Sequence, residues 1–445
     1  MIPQFIIAAP TSNAGKTTVT LGLLRALKNR GLTPQPFKCG PDYIDPKFHK
    51  IACDKIGVNL DLFMMSRDDI DKTYATYSNG ASAICVEGVM GLFDGSKKQE
   101  GSTAELAKLL QLPIIFVVDA KSVAYSVAPL LYGFKNFDKE LNIAGVIFNR
   151  VNTESHYQFL EEACTDVGIQ PLGRLPFLPE CEIPSKHLGL SIDKMEDYNN
   201  VVERVAKQME ATVDIDQLLK ITTKKVKQKA SLIPTDLSLG FKIAVAKDEG
   251  FNFSYVQNIE ALKRMGEVVF FSPINDKQLP HADLVYLPGG YPEMYTKQIT
   301  QNDLMLNSIK AYAENGGKII AECGGMMYLG KFIIDQQGIK AKMAGIFNYS
   351  SSMAKMKLNL GYRTVKFNNY ELKGHEFHYS NIIDIEQIET IGTVWNARGK
   401  EVETKIYRYK NVIASYMHFY FGEDELLRIL YQELLAEVTK KEIQL

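Results

Sequence analysis

Short, fully apolar runs alternate with longer stretches of helical pattern along the first half of this chain. FIIAA (5–9) is the first such run, and continuous apolar runs of this length predict strands buried on both faces. A helix is predicted from about Lys16 through LGLLRALKNR, closed by Gly31 as a C-terminal glycine often closes one. LTPQPFK (32–38), AICVE (83–87), IIFVVDA (114–120) and IAGVIFN (143–149) are further strand candidates, rich in Ile, Val and Phe. Apolar strands separated by helices predict an α/β fold built on a parallel sheet with both faces covered.

The pattern weakens after about residue 205. ITTKKVKQKASLIPT (221–235) is basic and then punctuated by proline, as a solvated linker would be. A second alternating series follows, with FKIAVAKD (241–248), EVVFFSP (267–273), ADLVYLPGG (282–290), GKIIAECGG (317–325) and NVIASYMH (411–418) as its strands. The organisation predicted is a domain over 1–225, a linker over 226–240 and a second domain over 241–445. A length of 445 residues also favours more than one domain.

Composition narrows the function classes. Hydrophobic residues make up 46% and charged residues 23%, as in ordinary globular proteins, and the net charge of -1 gives no reason to expect a nucleic-acid or acidic-membrane partner. No apolar run approaches the roughly 20 residues a membrane helix needs. The N-terminus lacks a basic region and runs straight into a glycine-lysine motif, so no secretory signal is expected. Six scattered cysteines without a CxxC argue against a disulfide framework and for a reducing, cytoplasmic setting.

Two motifs carry chemistry. Ser12, Asn13, Ala14, Gly15, Lys16, Thr17 and Thr18 join the first strand to the first helix, where free backbone N–H groups and the helix dipole favour a phosphate. Lys16 would neutralise phosphate charge and the Thr17 hydroxyl would meet magnesium, so ATP and magnesium are the expected ligands. Pro10 stands where the strict P-loop pattern has glycine. Asp42 and Asp45 follow the second strand, and Glu87 ends the AICVE strand, at the sheet edge where the phosphate site forms. Asp42 and Glu87 are the expected metal ligands; Asp45 would assist or face a second substrate. Asn149 ends another strand, where its amide reads an adenine edge or caps the next helix.

In the second domain, Ala321-Glu322-Cys323-Gly324-Gly325 runs from a strand into a helix, a sharp turn that exposes its central side chain. The helix N-terminus would favour a thiolate at Cys323. Gly289 and Gly290, after another strand, would supply oxyanion-hole N–H groups, and His418 at a strand end would be the general base. An inert buried thiol is the competing reading of any one cysteine, and Cys39 fits it. His375-Glu376-Phe377-His378 lacks the spacing of a HExxH zinc site and reads as a substrate-facing or structural loop. His49, His156, His187 and His281 have no partner pattern and read as surface or packing residues.

PTSNAGKTTVTLGLLRAL, PFKCGPDYIDPKFH, NLDLFM, VEGVMGLFDG, LPGGYPE, AECGGMMYLG, LGYR, GHEFHYS and SYMHFYF together resemble the cobyrinic acid a,c-diamide synthases, in family order and over nearly the whole chain. The resemblance implies an N-terminal P-loop NTPase domain with a parallel sheet similar to dethiobiotin synthetase. It also implies a C-terminal class I glutamine amidotransferase domain of the cobyric acid synthase type. It implies that glutamine and a carboxylated tetrapyrrole are the small-molecule partners, with a homodimer allowed. It implies that Asp42, Tyr43, Asp45 and Glu87 belong to the synthetase site, Tyr43 and Asp45 toward the tetrapyrrole. Tyr420 stands where the usual His-x-Glu acid would, so a Cys323–His418 dyad is expected. Rival readings are a nickel-sirohydrochlorin a,c-diamide synthase, and a regulatory P-loop ATPase fused to a non-catalytic glutaminase-like domain.

Overall fold

The computed structural model describes residues 1–181, 198–226, 240–367, 370–423 and 427. Contacts divide the chain into two compact units, Met1–Leu232 and Ile233–Leu445. Most of the predicted linker, 227–239, and His187 lie outside the described residues.

Unit one is a twisted sheet of strands β1 (Ile2–Ala8), β2 (Pro34–Cys39), β3 (Val58–Leu60), β4 (Ala83–Glu87), β5 (Ile114–Asp119), β6 (Ile143–Asn149), β7 (Gln170–Leu175) and β8 (Thr223–Lys224). The order β3-β2-β4-β1-β5-β6-β7 is parallel throughout, while β8 pairs antiparallel with the start of β1. Every residue of β2 and β4 is buried, which is why AICVE reads as an apolar run as far as Glu87, while β2 buries Gln35 and Lys38 among its apolar residues. Chain direction reverses across the sheet at β1, since β4 lies on one side and β5 on the other. The loop after β1 therefore sits at the topological switch point, where open α/β sheets bind ligands. That loop leads into α1 (Lys16–Asn29), and α2 (Asp45–Cys53) follows β2. One face of α1 buries Leu23, Leu24 and Leu27 in a core shared with Val202, Val205 and Met209 of the helix Tyr198–Thr212.

Unit two begins with β9 (Phe241–Ala246), β10 (Gly266–Phe271), β11 (Leu284–Leu287) and β12 (Lys318–Glu322). Its main sheet runs β10-β9-β11-β12 and continues with Val412–Ser415, Ile406–Tyr409 and Glu389–Thr390; the first five strands are parallel, and the last two join antiparallel. Two further four-stranded sheets are built from strands that follow β12 in the chain, all but Met417–Phe419 preceding Val412–Ser415. One contains the hairpin Asn359–Phe367 with Tyr370–His378, whose second strand also pairs with Met417–Phe419. The predicted single strand NVIASYMH thus serves two sheets. Val412–Ser415 belongs to the main one and Met417–Phe419 to the inserted one. GHEFHYS is a strand as far as His378, in contrast to the loop expected, because this cross-strand pairing takes up its backbone. No helix among the described residues is long and apolar enough to cross a membrane.

Candidate active sites

The loop after β1 is opened by Asn13 at φ 62° and Gly15 at φ 99°, both left-handed. Gly15 is the N-cap of α1 and no side chain caps this helix end, so its first N–H groups remain available to an anion. Lys16 is buried, and its Nζ donates to the Met90 carbonyl at 2.5 Å and the Thr11 carbonyl at 3.3 Å. The ammonium is thereby folded back over its own loop. The Thr17 hydroxyl donates to Glu87 Oε1 at 2.6 Å, which brings together two residues expected to share a metal.

Glu87 is fully buried and sits in a network that sequence patterns did not indicate. Lys38 Nζ is 2.6 Å from Asp45 Oδ2 and 3.2 Å from Glu87 Oε1, and His49 Nε2 is 2.7 Å from Glu87 Oε2. Burial and Asp45 oppose ionisation of Glu87, but Lys38 and the His49 hydrogen bond hold its carboxyl below the usual range. Burial likewise opposes charge on Lys38; Asp45, Glu87 and Asp42 outweigh it and hold the ammonium well above its ordinary value. Asp45 is 1% exposed and committed to Lys38. Asp42 Oδ1 accepts from the backbone N–H groups of Ile44 and Asp45, which starts α2. Asn149 Nδ2 donates to the Ala14 carbonyl at 3.0 Å, and its Oδ1 accepts the Arg150 N–H. Its amide thereby braces the loop at Ala14, a contact that neither the adenine nor the capping reading includes. His49, read from sequence as a packing residue, is instead a buried partner of Glu87. Cys39 is a buried thiol pushed up to about 12, chiefly by burial, in keeping with an inert role.

In unit two, Cys323 occupies the turn between β12 and the helix Gly324–Leu329 at φ 46° and ψ -105°. Such a backbone costs a non-glycine residue about 1–3 kcal/mol and persists only where its surroundings enforce it. The Cys323 N–H donates to Ser415 O at 2.7 Å, and Gly325 leaves no room for a side chain against Leu287. His418 is fully buried and stacks on His375, ring centroids 4.9 Å apart at 15°, because the two are cross-strand partners. Tyr255 Oη and His375 Nδ1 are 2.9 Å apart. A methyl group built on Gly289 would lie 2.2 Å from His418 Cε1 and 3.3 Å from Cys323 Cβ. Glycine loop, nucleophile and base therefore converge. Gly290 belongs to the same turn, with its N 3.0 Å from where a methyl on Gly324 would stand.

The electrostatics differ from expectation at Cys323. The Gly324 N–H favours a thiolate, but burial and the neighbouring Glu293 outweigh it and push the thiol up. The single-turn-scale helix contributes too little to offset full desolvation. Burial also holds His418 well below its ordinary value, aided by His375 and His378, so thiol and imidazole are both neutral. Two carboxyls near the site, Glu322 and Glu293, are pushed up by burial to about 8 and about 7. Cys323 Sγ lies 3.7 Å from the Phe377 carbonyl. From there the strand leads to a cavity of about 930 Å³ lined by His378, Ser380, Tyr416, Arg363, Glu376 and Lys405 among others. Tyr420 is buried beside Tyr255, 6.0 Å between ring centroids.

Known proteins match both units. Residues 5–190 match the family model of the CobQ/CobB/MinD/ParA nucleotide binding domain, and residues 242–426 match that of the CobB/CobQ-like glutamine amidotransferase domain. Hydrogenobyrinate a,c-diamide synthase of Brucella abortus is 40% identical over 93% of this chain and 97% of its own length. Cobyrinate a,c-diamide synthase of Caldanaerobacter subterraneus is 37% identical over 94% of this chain and 95% of its own. A solved glutamine amidotransferase aligns at 17% identity over 43% of this chain and 98% of its own, with a TM-score of 0.32, too slight a likeness to carry weight. End-to-end similarity at this identity, over a P-loop unit followed by an amidotransferase unit, settles the kinship: the chain belongs to the family of cobyrinate and hydrogenobyrinate a,c-diamide synthases.

Proposed function

We propose that the chain is an amidating ligase that uses ATP and glutamine to convert the a and c acetate carboxylates of cobyrinate, or of its hydrogenobyrinate counterpart, into amides. The observation that carries the reading is the coexistence of the Gly15–Lys16–Thr17 loop at the switch point of one sheet with the convergence of Cys323, His418 and Gly289 at the edge of another.

In unit two, the Cys323 thiol passes its proton to His418 as sulfur attacks the glutamine amide carbon. The Gly289 and Gly290 N–H groups hold the resulting oxyanion. His418 returns the proton to the departing nitrogen, ammonia leaves, and a glutamyl thioester remains. Water, deprotonated by His418, then releases glutamate. The cavity beyond His378 and Tyr416 carries both signs of charge, in Lys405 and the Arg363–Glu376 ion pair at 2.6 Å, a lining that suits a zwitterionic amino acid.

In unit one, Ser12 to Thr18 cradle the ATP phosphates, and Lys16 leaves its carbonyl partners to neutralise the transferring phosphoryl group. The Thr17 hydroxyl and Glu87 carboxylate converge at 2.6 Å and form a hard oxygen set suited to magnesium. When bound there, magnesium supplies charge neutralisation at the phosphates. Asp42 keeps Oδ1 on the α2 backbone, so Thr17 and Glu87 are the better-supported pair. Tyr43, just before α2, and Asp45, its first residue, are read as facing the tetrapyrrole, with Asp45 oriented by Lys38. The substrate carboxylate attacks the γ-phosphate, ADP leaves as the acyl phosphate forms, and ammonia then displaces phosphate to give the amide.

Incubation with ATP, magnesium, glutamine and each of cobyrinate, hydrogenobyrinate and nickel-sirohydrochlorin, followed by mass spectrometry, tests this. Two hydroxyl-to-amino exchanges on cobyrinate or hydrogenobyrinate are expected. Exchange on nickel-sirohydrochlorin alone would overturn the substrate. Cys323→Ala is expected to abolish glutamine-supported synthesis and retain synthesis with ammonia; loss of both would refute the nucleophile.

A further inference from the structure

A buried imidazole that must gain a proton during each turnover needs a partner that fixes its tautomer and receives its charge. In this chain the position two residues after His418 is Tyr420, which carries no carboxylate. Its ring lies beside Tyr255, and its hydroxyl faces Gly422, where an added methyl would lie 2.5 Å away.

We propose that Glu322, the residue immediately before the nucleophile, is the positioning residue for His418 and takes the part of the missing third acid. This rests on the glutaminase reading of unit two. Glu322 Oε2 lies 3.8 Å from His418 Nδ1, and both side chains are within 1% of full burial. The carboxyl is held at two points. Its Oε1 accepts the backbone N–H of Phe419 at 3.0 Å, and its Oε2 accepts the Tyr286 hydroxyl at 2.9 Å. The first of these bonds anchors the residue next to His418, so one carboxyl both faces the ring and fixes the strand that carries it. Tyr286 stands on β11, the strand that delivers Gly289 and Gly290, and Glu322 ends β12, the strand that delivers Cys323. The three components of the site thus share one buried carboxyl.

The chemistry fits that place. Glu322 on Nδ1 favours the tautomer with its proton there and leaves Nε2 as the base. A separation of 3.8 Å closes to a hydrogen bond with a small rotation, as catalytic contacts commonly do once substrate binds. The groups facing the pair are Tyr286 and the Phe419 N–H on the Glu322 side, and His375, His378 and Cys323 on the His418 side. Glu293 and Glu376 also act on Cys323, and Glu322 is the carboxyl that stands 3.8 Å from His418 Nδ1, where a positive imidazolium meets it. Burial keeps His418 neutral at rest and pushes Glu322 up to about 8; once the Glu322 proton has gone to solvent, its carboxylate offsets the charge that His418 gains with the thiol proton.

Glu322→Gln, which preserves size and the Phe419 contact, is tested in the full chain. Glutaminase kcat should fall by about 10²-fold or more with KM changed far less, because the base is misoriented rather than the substrate lost. The pH profile of kcat should change shape, and alkylation of Cys323 by iodoacetamide should slow. Ammonia-supported synthesis should persist. Tyr286→Phe, which frees Glu322 from one anchor, should give a smaller loss of the same kind. Wild-type kcat in Glu322→Gln, given an active wild-type glutaminase, would overturn the proposal. So would equal loss of glutaminase and ammonia-supported synthesis in both variants, which would mark Glu322 as a folding residue. An inactive wild-type glutaminase would instead defeat the underlying reading of unit two.

Discussion

Replacing Gly289 with alanine isolates the convergence of the glutaminase site from its chemistry. Gly289 has no positive φ, so the cost of a side chain there is steric rather than conformational. The added methyl would stand 2.2 Å from His418 Cε1, 3.0 Å from His418 Nδ1 and 3.3 Å from Cys323 Cβ. Ordinary carbon contacts lie near 3.5 Å or beyond, so a gap of about 1 Å must open. The glycine backbone resists moving, because its carbonyl accepts the N–H groups of both Asn252 and Phe253 at 3.0 Å. The imidazole is therefore the part displaced, away from its stack on His375. A catalytic group moved by about 1 Å loses on the order of 10²-fold in rate, about 2.7 kcal/mol of transition-state stabilisation. Glutamate release from glutamine measures this directly, with ammonia-supported synthesis as the control that the rest of the chain is intact. Near-wild-type glutaminase in Gly289→Ala would refute the placement of Gly289 between base and nucleophile.

Lys16→Ala is expected to stop synthesis from either nitrogen source while glutaminase activity survives; full synthesis would defeat the phosphate-loop assignment. Asn149→Ala removes the donor beneath Ala14 and should raise the KM for ATP more than it lowers kcat, read by initial rates. Lys38→Ala strands two buried carboxylates, Asp45 and Glu87, and should cost about 3–5 kcal/mol in urea unfolding. Glu322, pushed from 4.5 to about 8, makes a pH-dependent contribution to stability that is fully present below 4.5 and lost as pH rises through about 8. The urea midpoint should fall across that window and fall less steeply in Glu322→Gln; parallel pH curves would contradict the shift.

The parallel strands were legible because burial on both faces leaves a run no choice but to be apolar, as in AICVE and IAGVIFN, which match β4 and β6 residue for residue. Strands with weaker constraints escaped notice. Val58–Leu60 has three residues, Gln170–Leu175 contains Pro171 and Gly173, and Lys340–Lys342 and Ser350–Ser352 are polar. Their identity comes from neighbours distant in sequence, which no local window contains. The same holds for the sites. Lys16, Cys323 and His418 stand in loops and strand ends with recognisable spacing. Lys38 and Glu322 gain meaning only from what folds against them. Their available signal was a charge inside an otherwise buried strand, PQPFKC or KIIAE. His49 offered one more, since it lies four residues after Asp45 and shares a face of α2 with it.

The two sheets served by the chain around Val412–Phe419 have a consequence for how the enzyme comes into being. Cys323 is synthesised 95 positions before His418, and most strands of the inserted sheets and the outer strands of the main sheet lie between them. Loop closure over that distance is the slow kind of contact, made after local structure has formed. The nucleophile thus waits, protonated and without its base, until Val412–Ser415 docks beside β12 and carries His418 into the inserted sheet. Glutaminase activity is in this sense a certificate of folding, issued only once Val412–Ser415 and Met417–Phe419 have both found their partners.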